Sequence, residues 1–454
     1  MNKSITKSLF LSLLLLCGCC LGGKAQDRQP VTFDLQECLQ YGLENSYELH
    51  KAKFGTLESE AAHREAKSAL LPQLNGSVSV TDNLKLATSM MPGDLFGMPG
   101  ELIGIEMGVK YSAVAGIDLE QVVFNAGLFT GIKISRNARE LALLKERMSK
   151  EELIYNISNT FYDVLYSENL LRNNIETLSL MDSIYVKMEL QVAQNITREI
   201  DLNRMKVNIS NMKVDIQKTA ATLSQQMNYL KVLMGMPLEY WFLAKGNMEL
   251  SPLEGYLSSI PENYAHNITE LLILNNERKN GKLEIRRLKQ AYIPTLSLFA
   301  SSSYNFENEK FTISKSAFWS NGTYFGAKLS IPIFDGGAKH HKIRQAQFRL
   351  RQVEEDIKQQ QQTIESDGLN ARLQLQVAFQ SANAQQENME VAEKSYKQGI
   401  MLYQEGLYSI TDLLDIEKSY REAQSAYTYE LSNYHKSILE LKKSEGTLTT
   451  LLNQ

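Results

Sequence analysis

The chain is 454 residues long, with 48 Lys and Arg against 52 Asp and Glu and a formal net charge of −4. That balance moves to about −7 once the leader's Lys3, Lys7 and Lys24 are removed, and it argues against nucleic acid as a partner. Three of the four cysteines (Cys17, Cys19 and Cys20) lie in the leader, so Cys38 alone excludes a disulfide framework, and no later run of 18 apolar residues exists for a transmembrane helix, a test to which a β-barrel is blind.

At the N-terminus, Lys3 and Lys7 precede an apolar run from Leu9 to Leu16, and small residues follow. This order reads as a secretory signal peptide over residues 1–25. Two cleavage patterns compete. Gly23-Lys24-Ala25 suits ordinary signal peptidase, leaving Gln26 first. Leu16-Cys17-Gly18-Cys19 resembles a lipobox, which would leave Cys19 acylated.

Residues 34–70 carry Leu35, Leu39, Leu43 and Leu49, then Ala61, Ala62, Ala66 and Ala69, at helical spacing up to Pro72. Residues 73–82 alternate apolar and polar, as do 109–120, where Tyr111, Ala113, Ala115, Ile117 and Leu119 share one face. The intervening stretch, 83–108, reads as a long loop, in which Met90, Met91, Met98 and Met107 cluster. Thioethers bind soft metals, but plastic apolar filling is the commoner use. After Gly127 a helix nearly continuous to Gln194 would measure ~100 Å at ~1.5 Å per residue. Residues 199–234 then repeat apolar groups at Leu202, Met205, Ile209, Met212, Ile216, Leu223 and Leu230, a coiled-coil heptad.

The whole pattern then recurs. Asn45-Ser46-Tyr47-Glu48-Leu49 and Leu71-Pro72-Gln73-Leu74 are matched by Asn267-Ile268-Thr269-Glu270-Leu271 and Ile293-Pro294-Thr295-Leu296. Phe124-Asn125-Ala126-Gly127 is matched by Phe334-Asp335-Gly336-Gly337, and each copy closes on a glycine, Gly235 and Gly446. The second copy has alternating strands at 295–306 and 323–334 and a heptad over 337–382. A second heptad there, at Leu413, Ile416, Tyr420, Ala423, Tyr427, Tyr434 and Leu441, is in phase with that of the first copy. A period this long marks a duplicated domain half rather than a solenoid. The expected organisation is a first repeat at 26–235 with its helical hairpin at 127–235, a connecting segment at 236–264, a second repeat at 265–446 with its hairpin at 337–446, and a tail at 447–454.

Strands of ~9–11 residues with unlike faces suit a membrane barrel, but four strands do not close one, since small barrels need about eight. A trimer would supply ~12. Helices of ~100 Å must pack sideways in a coiled-coil wall rather than in a globule. The order helix, Pro, strand pair, Gly, long helix, turn, long helix, all repeated, resembles the TolC-type outer membrane efflux family over nearly the whole mature chain. The motifs carrying it are the Leu-Pro-Gln-Leu and Ile-Pro-Thr-Leu strand entries, Ile331-Pro332-Ile333-Phe334-Asp335-Gly336-Gly337, and Glu405-Gly406-Leu407-Tyr408-Ser409-Ile410-Thr411-Asp412-Leu413-Leu414-Asp415. The resemblance implies a homotrimeric tunnel, with a 12-strand barrel in outer-membrane lipid continued by an α-helical barrel in the periplasm. It also implies docking to a periplasmic adaptor and an inner-membrane transporter, in efflux or type I secretion.

Asp412 and Asp415 stand i, i+3 apart at a helix start, where the macrodipole favours carboxylates. Capping is the structural reading; a carboxylate ring at the periplasmic mouth is the functional one, and the family's constriction motif supports it. Tyr408 stands where some members carry a basic gate-locking residue. The same columns of the first copy hold Asp201 and Arg204, which are secondary gate candidates. His340-His341, flanked by Lys339 and Lys342, reads as helix surface and not as a metal site. No phosphate loop, dinucleotide fingerprint, nucleophile elbow or zincin motif is present, so neither an enzyme nor a cofactor is expected. A periplasmic coiled-coil structural or adaptor lipoprotein is the competing class; it explains the leader and heptads but not four alternating strands bracketed by Pro and Gly.

Overall fold

The computed structural model describes residues 31–92, 94, 97–98, 100–257, 267–312 and 319–453; the leader, Cys19 included, lies outside them. A short strand β1 (Val31–Phe33) leads into helix α1 (Leu35–Asn45), which opens on a capping box between Asp34 and Glu37. The helical pattern over 34–70 is not one helix. It breaks at Ser46, which is extended (φ −60, ψ 127) and buried, and resumes as α2 (Tyr47–Ser68). The cause lies elsewhere in the chain, because the backbone of Gly235 passes directly against Asn45 and Ser46.

Strand β2 (Gln73–Asp82) starts straight after Pro72. The stretch read as a loop holds a hairpin of its own, β3 (Ala87–Pro92) with β4 (Leu102–Met107), before β5 (Tyr111–Phe124). Asn125 caps the next helix by accepting from the Leu128 N–H at 3.0 Å. That helix, α3 (Ala126–Ala193), runs 68 residues without a break. A turn with Asn195 at φ 58 leads to α4 (Glu199–Met234). Strand β6 (Phe242–Ala244) pairs in parallel with β1.

The second copy follows as α5 (Thr269–Gln290), β7 (Thr295–Asn308), β8 (Trp319–Ser330), the 67-residue α6 (Ala338–Gln404) and α7 (Ile410–Ser444). Strand β8 ends before the alternating pattern does. Pro332 has no N–H to give a ladder, and the opposite strand starts only at Thr295, paired with Ser330. Asp335 takes the place of the first copy's Asn125, accepting from the N–H groups of Gly337 (3.1 Å) and Lys339 (2.9 Å). The two copies also meet their own glycines alike. Gly235, closing α4, lies on Asn45 and Ser46; Gly446, past α7, lies on Asn267 and Ile268. The short helices α2 and α5 therefore begin where α4 and α7 stop.

Both long helices run the length of this stack. α2 and α5 pack beside them on the sheet side, and α4 and α7 on the other. Where the two levels meet, Leu153, Ile154, Ile157, Phe161, Val164 and Leu165 of α3 form the largest apolar cluster with α1, β6 and the end of α4. A second cluster, Met181, Met188, Met205, Ile209, Met212, Tyr396, Ile410 and Leu413, fills the far end. Heptad positions Met205, Ile209, Met212, Leu230, Leu413, Tyr434 and Leu441 are all buried, as coiled-coil packing requires.

Beside the first cluster the His435 ring stacks on Tyr162 (centroids 4.9 Å apart, 13° between planes), and burial pushes its pKa down from 6.5 to about 4. A base kept neutral in the fold takes up its proton more readily in the unfolded chain, so stability falls as pH drops through 6.5, and the loss is complete near 4. Thermal unfolding midpoints measured across that interval are expected to fall more steeply for the native chain than for His435→Phe. Parallel curves would remove His435 as the cause.

Candidate functional site

Two regions carry the chemistry: the sheet at one end of the helices and the turns at the other. The sheet order is β2-β5-β7-β8, all antiparallel. Its register sorts the side chains by polarity. One face collects Leu74, Val78 and Val80 of β2, Ala113 to Leu119 of β5, Leu298 to Phe306 of β7, and Trp319, Phe325 and Leu329 of β8. The other carries Gln73, Asn75, Ser77, Ser79, Asp118, Glu120, Ser301, Ser303 and Lys328. In this single chain most of the apolar face is bare, with Phe325 90% exposed and Val78 78%, while Ala113 and Phe306 are buried. Exposing so many large apolar groups to water is not tolerated on a soluble surface. Alternation of this sense, apolar outward and polar inward, is that of a membrane barrel wall. Among the described residues, no helix is long and apolar enough to cross a membrane.

At the opposite end, the structure brings the two turns together. Ser409 caps α7 reciprocally with Asp412: the Ser409 N–H and hydroxyl donate to Asp412 Oδ2 (3.0 and 2.7 Å), and the Asp412 N–H donates to Ser409 Oγ (3.2 Å). The Ser409 hydrogen bonds hold the Asp412 carboxyl below the usual carboxylate range. Asp412 is therefore both a cap and a standing negative charge. Asp415, one turn on, is likewise exposed, and Tyr408 is 37% exposed in the turn itself.

The first copy is built differently. Asp201 is buried at 6% exposure, with Arg198 Nε 2.9 Å and Arg204 Nη1 3.8 Å from its oxygens. Arg204 also donates to Thr411 Oγ1 at 2.9 Å, bridging the two hairpins. Burial, followed by the Asp201 charge, pushes up the Tyr403 hydroxyl beside it. Copy one thus ties the tips together, whereas copy two exposes its carboxylates.

Sequence reasoning missed one pair here. Glu417 is buried between α4 and α7 with Arg421 Nε 3.3 Å away, and Arg421 Nη1 lies 3.9 Å from Asp215 Oδ2. Burial raises the Glu417 pKa against the pull of Arg421. The signal was legible: Glu417 interrupts the apolar seam of Leu413, Ile416 and Tyr420. Met90 and Met91 lie on β3 and Met107 ends β4, while the rings of His340 and His341 are edge-to-face, exposed at the start of α6.

Known proteins share this arrangement. The sequence model described as outer membrane efflux protein matches residues 277–447. The probable outer membrane lipoprotein SilC of Salmonella typhimurium is 22% identical over 387 residues, covering 83% of this chain and 78% of that protein. TolC of Escherichia coli strain K12 is 20% identical, covering 75% and 71%. The crystal structure of the Campylobacter jejuni CmeC outer membrane channel superposes with a TM-score of 0.74 at 16% identity, over 91% of this chain and 85% of that one. A sheet with one lipid-type face, carried on paired helical hairpins of this height, is the fold of the outer-membrane channels that the chain resembles. These matches bear out the resemblance to the TolC-type outer membrane efflux family read from the motifs.

Proposed function

We propose that the chain acts as a homotrimeric exit duct, passing substrates from a periplasmic adaptor and an inner-membrane transporter to the exterior. The observation that carries this reading is the sheet. Strands β2 and β8 are its two ends, each with one free edge among the described residues, and most of its apolar face is bare. A closed barrel removes both liabilities at once, because edges pair and the apolar face meets lipid. Three copies give ~12 strands, an even number in the range of such barrels. The halves 26–235 and 265–446 are the two repeats of each wall segment.

The tips are the gate. Three copies of Asp412 and Asp415 form a carboxylate ring at the periplasmic mouth, with Tyr408 at its rim. Arg204 and Asp201 brace one hairpin against the other through Thr411. The duct conducts passively and catalyses nothing. Relatives are named for cation efflux and for protease secretion. One duct shape thus serves different cargo, and the transporter behind it sets the choice.

Cross-linking or native mass measurement in mild detergent is expected to give three subunits. A stable monomer inserted in a bilayer would sink the architecture.

A further inference from the structure

The polar face of the sheet is mostly Ser, Asn, Thr and Gly, with two aromatic rings that its polarity does not explain. The register aligns Glu120 with Phe299 and Phe299 with Gly326 in one row; in the adjacent row it aligns Asp118 with Ser301 and Ser301 with Tyr324. Two rings and two carboxylates thus stand on neighbouring rows across three strands. The rings meet edge to face, with centroids 6.2 Å apart and planes at 72°. The far edge of the Phe299 ring occupies the space over Gly326: a Cβ there would sit 2.7 Å from the Phe299 Cζ. Tyr324 is 59% exposed. Asp118 and Glu120 are exposed, with no ion pair among the described residues; Lys328, opposite Ser297 one row nearer the helices, is the neighbouring cation on this face.

Covering a sheet glycine with an aromatic ring is itself a packing device. It accounts for Phe299, but not for Tyr324 or for two carboxylates beside the rings. An aromatic face attracts a cation through its quadrupole, a carboxylate adds charge, and both act together on a ligand with an apolar body. Sites that combine aromatic surface with a few placed charges are those that hold small organic molecules.

We propose that Phe299, Tyr324, Asp118 and Glu120 form a binding station for lipophilic organic cations inside the barrel. The proposal rests on the duct reading, which makes this face the lumen. Three stations encircle one passage, each with Glu120 six residues before the start of α3 at Ala126, so they act after the tip gate and are independent of it. A permeating organic cation dwells here before release, and small inorganic ions pass with little delay.

Single-channel recording in planar bilayers tests this, with tetraphenylphosphonium as the probe and potassium as the current carrier. The native channel is expected to show concentration-dependent interruptions. Phe299→Leu with Tyr324→Leu is expected to weaken the block about tenfold, the scale of a desolvated cation–π contact. The near-isosteric Asp118→Asn with Glu120→Gln is expected to do the same, and it stands in should the leucine variants fail to assemble. With tetraphenylphosphonium added on the barrel side, where it reaches the station before the tips, Asp412→Ala with Asp415→Ala should leave its block in place. A block that survives both barrel pairs, or that disappears only with the tip aspartates, overturns the station while leaving the duct standing. Absence of any conducting trimer overturns the duct, and the station with it.

Discussion

Gly235→Ala is expected to destabilise the helical body by about 3 kcal/mol or more, the sum of left-handed strain and a backbone clash. Gly235 sits at φ 72, and a Cβ there would lie 2.2 Å from the Asn45 carbonyl oxygen and 2.8 Å from its carbon. Neither atom belongs to a flexible side chain, so the joint between α4 and the α1–α2 break must move as a whole. The equivalent substitution in the second copy separates the two contributions. Gly446 has φ 67, but a Cβ there would meet Ile268 Cγ1 at 3.5 Å and the Asn267 oxygen and Ile268 Cα at 3.8 Å, all ordinary contacts. Gly446→Ala should therefore cost about 1–2 kcal/mol, the left-handed term alone. Denaturant unfolding of the two variants, followed by helical signal, decides the matter. Equal losses would show that close approach at Asn45 contributes nothing.

Removing the tip carboxylates is expected to cost the channel its cation selectivity and to weaken block by divalent cations about tenfold or more. Each close charge pair is worth about 1 kcal/mol even at water-like screening, and the three subunits of the proposed trimer multiply the effect. The capping role of Asp412 calls for two variants rather than one. Asp412→Ala with Asp415→Ala removes charge and cap together; loss of the cap costs about 1 kcal/mol at each α7 start. Asp412→Asn with Asp415→Asn removes the charges and keeps an acceptor for Ser409. Both pairs should lose selectivity alike. If only the alanine pair changes conductance, the carboxylates are helix caps and no more. Because the Ser409 hydrogen bonds lower the Asp412 pKa, its share of the selectivity should persist below the pH at which an ordinary aspartate is neutralised.

The repeated architecture was legible because it depends on local rules. Pro72 and Pro294 stop helices, alternation sets strand faces, and the heptads mark the buried stripes. What escaped depended on distant partners. The break at Ser46 is not written in residues 34–70, all good helix spacing; it is imposed by Gly235, nearly two hundred residues away. The hairpin within 83–108 was hidden because Met, Gly and Pro there spoil its alternation. At the tips, sequence columns paired Asp201 with Asp412, yet the two aspartates differ in kind. Asp201 is enclosed by Arg198 and Arg204, and Asp412 faces solvent on Ser409. Duplication predicts equivalent positions, but not equivalent surroundings.

The height of the apolar cluster along α3 has a mechanical consequence. Leu153 to Leu165 fix the helix near its middle, about 30 residues from the turn at Asn195, so the part beyond them is an arm ~45 Å long at ~1.5 Å per residue, packed at its end by the Met181 and Met188 cluster. Such an arm is a lever with its fulcrum at the level of β1 and β6. A rotation of about 10° there, within the scatter of ordinary helix crossing angles, carries the tip ~8 Å sideways. In the trimer proposed above, that sweep of each tip, close to the width of a helix, is enough to widen the mouth while the membrane wall stays still. The Arg204 to Thr411 hydrogen bond sits at the far end of this arm, where a weak restraint has the greatest mechanical advantage.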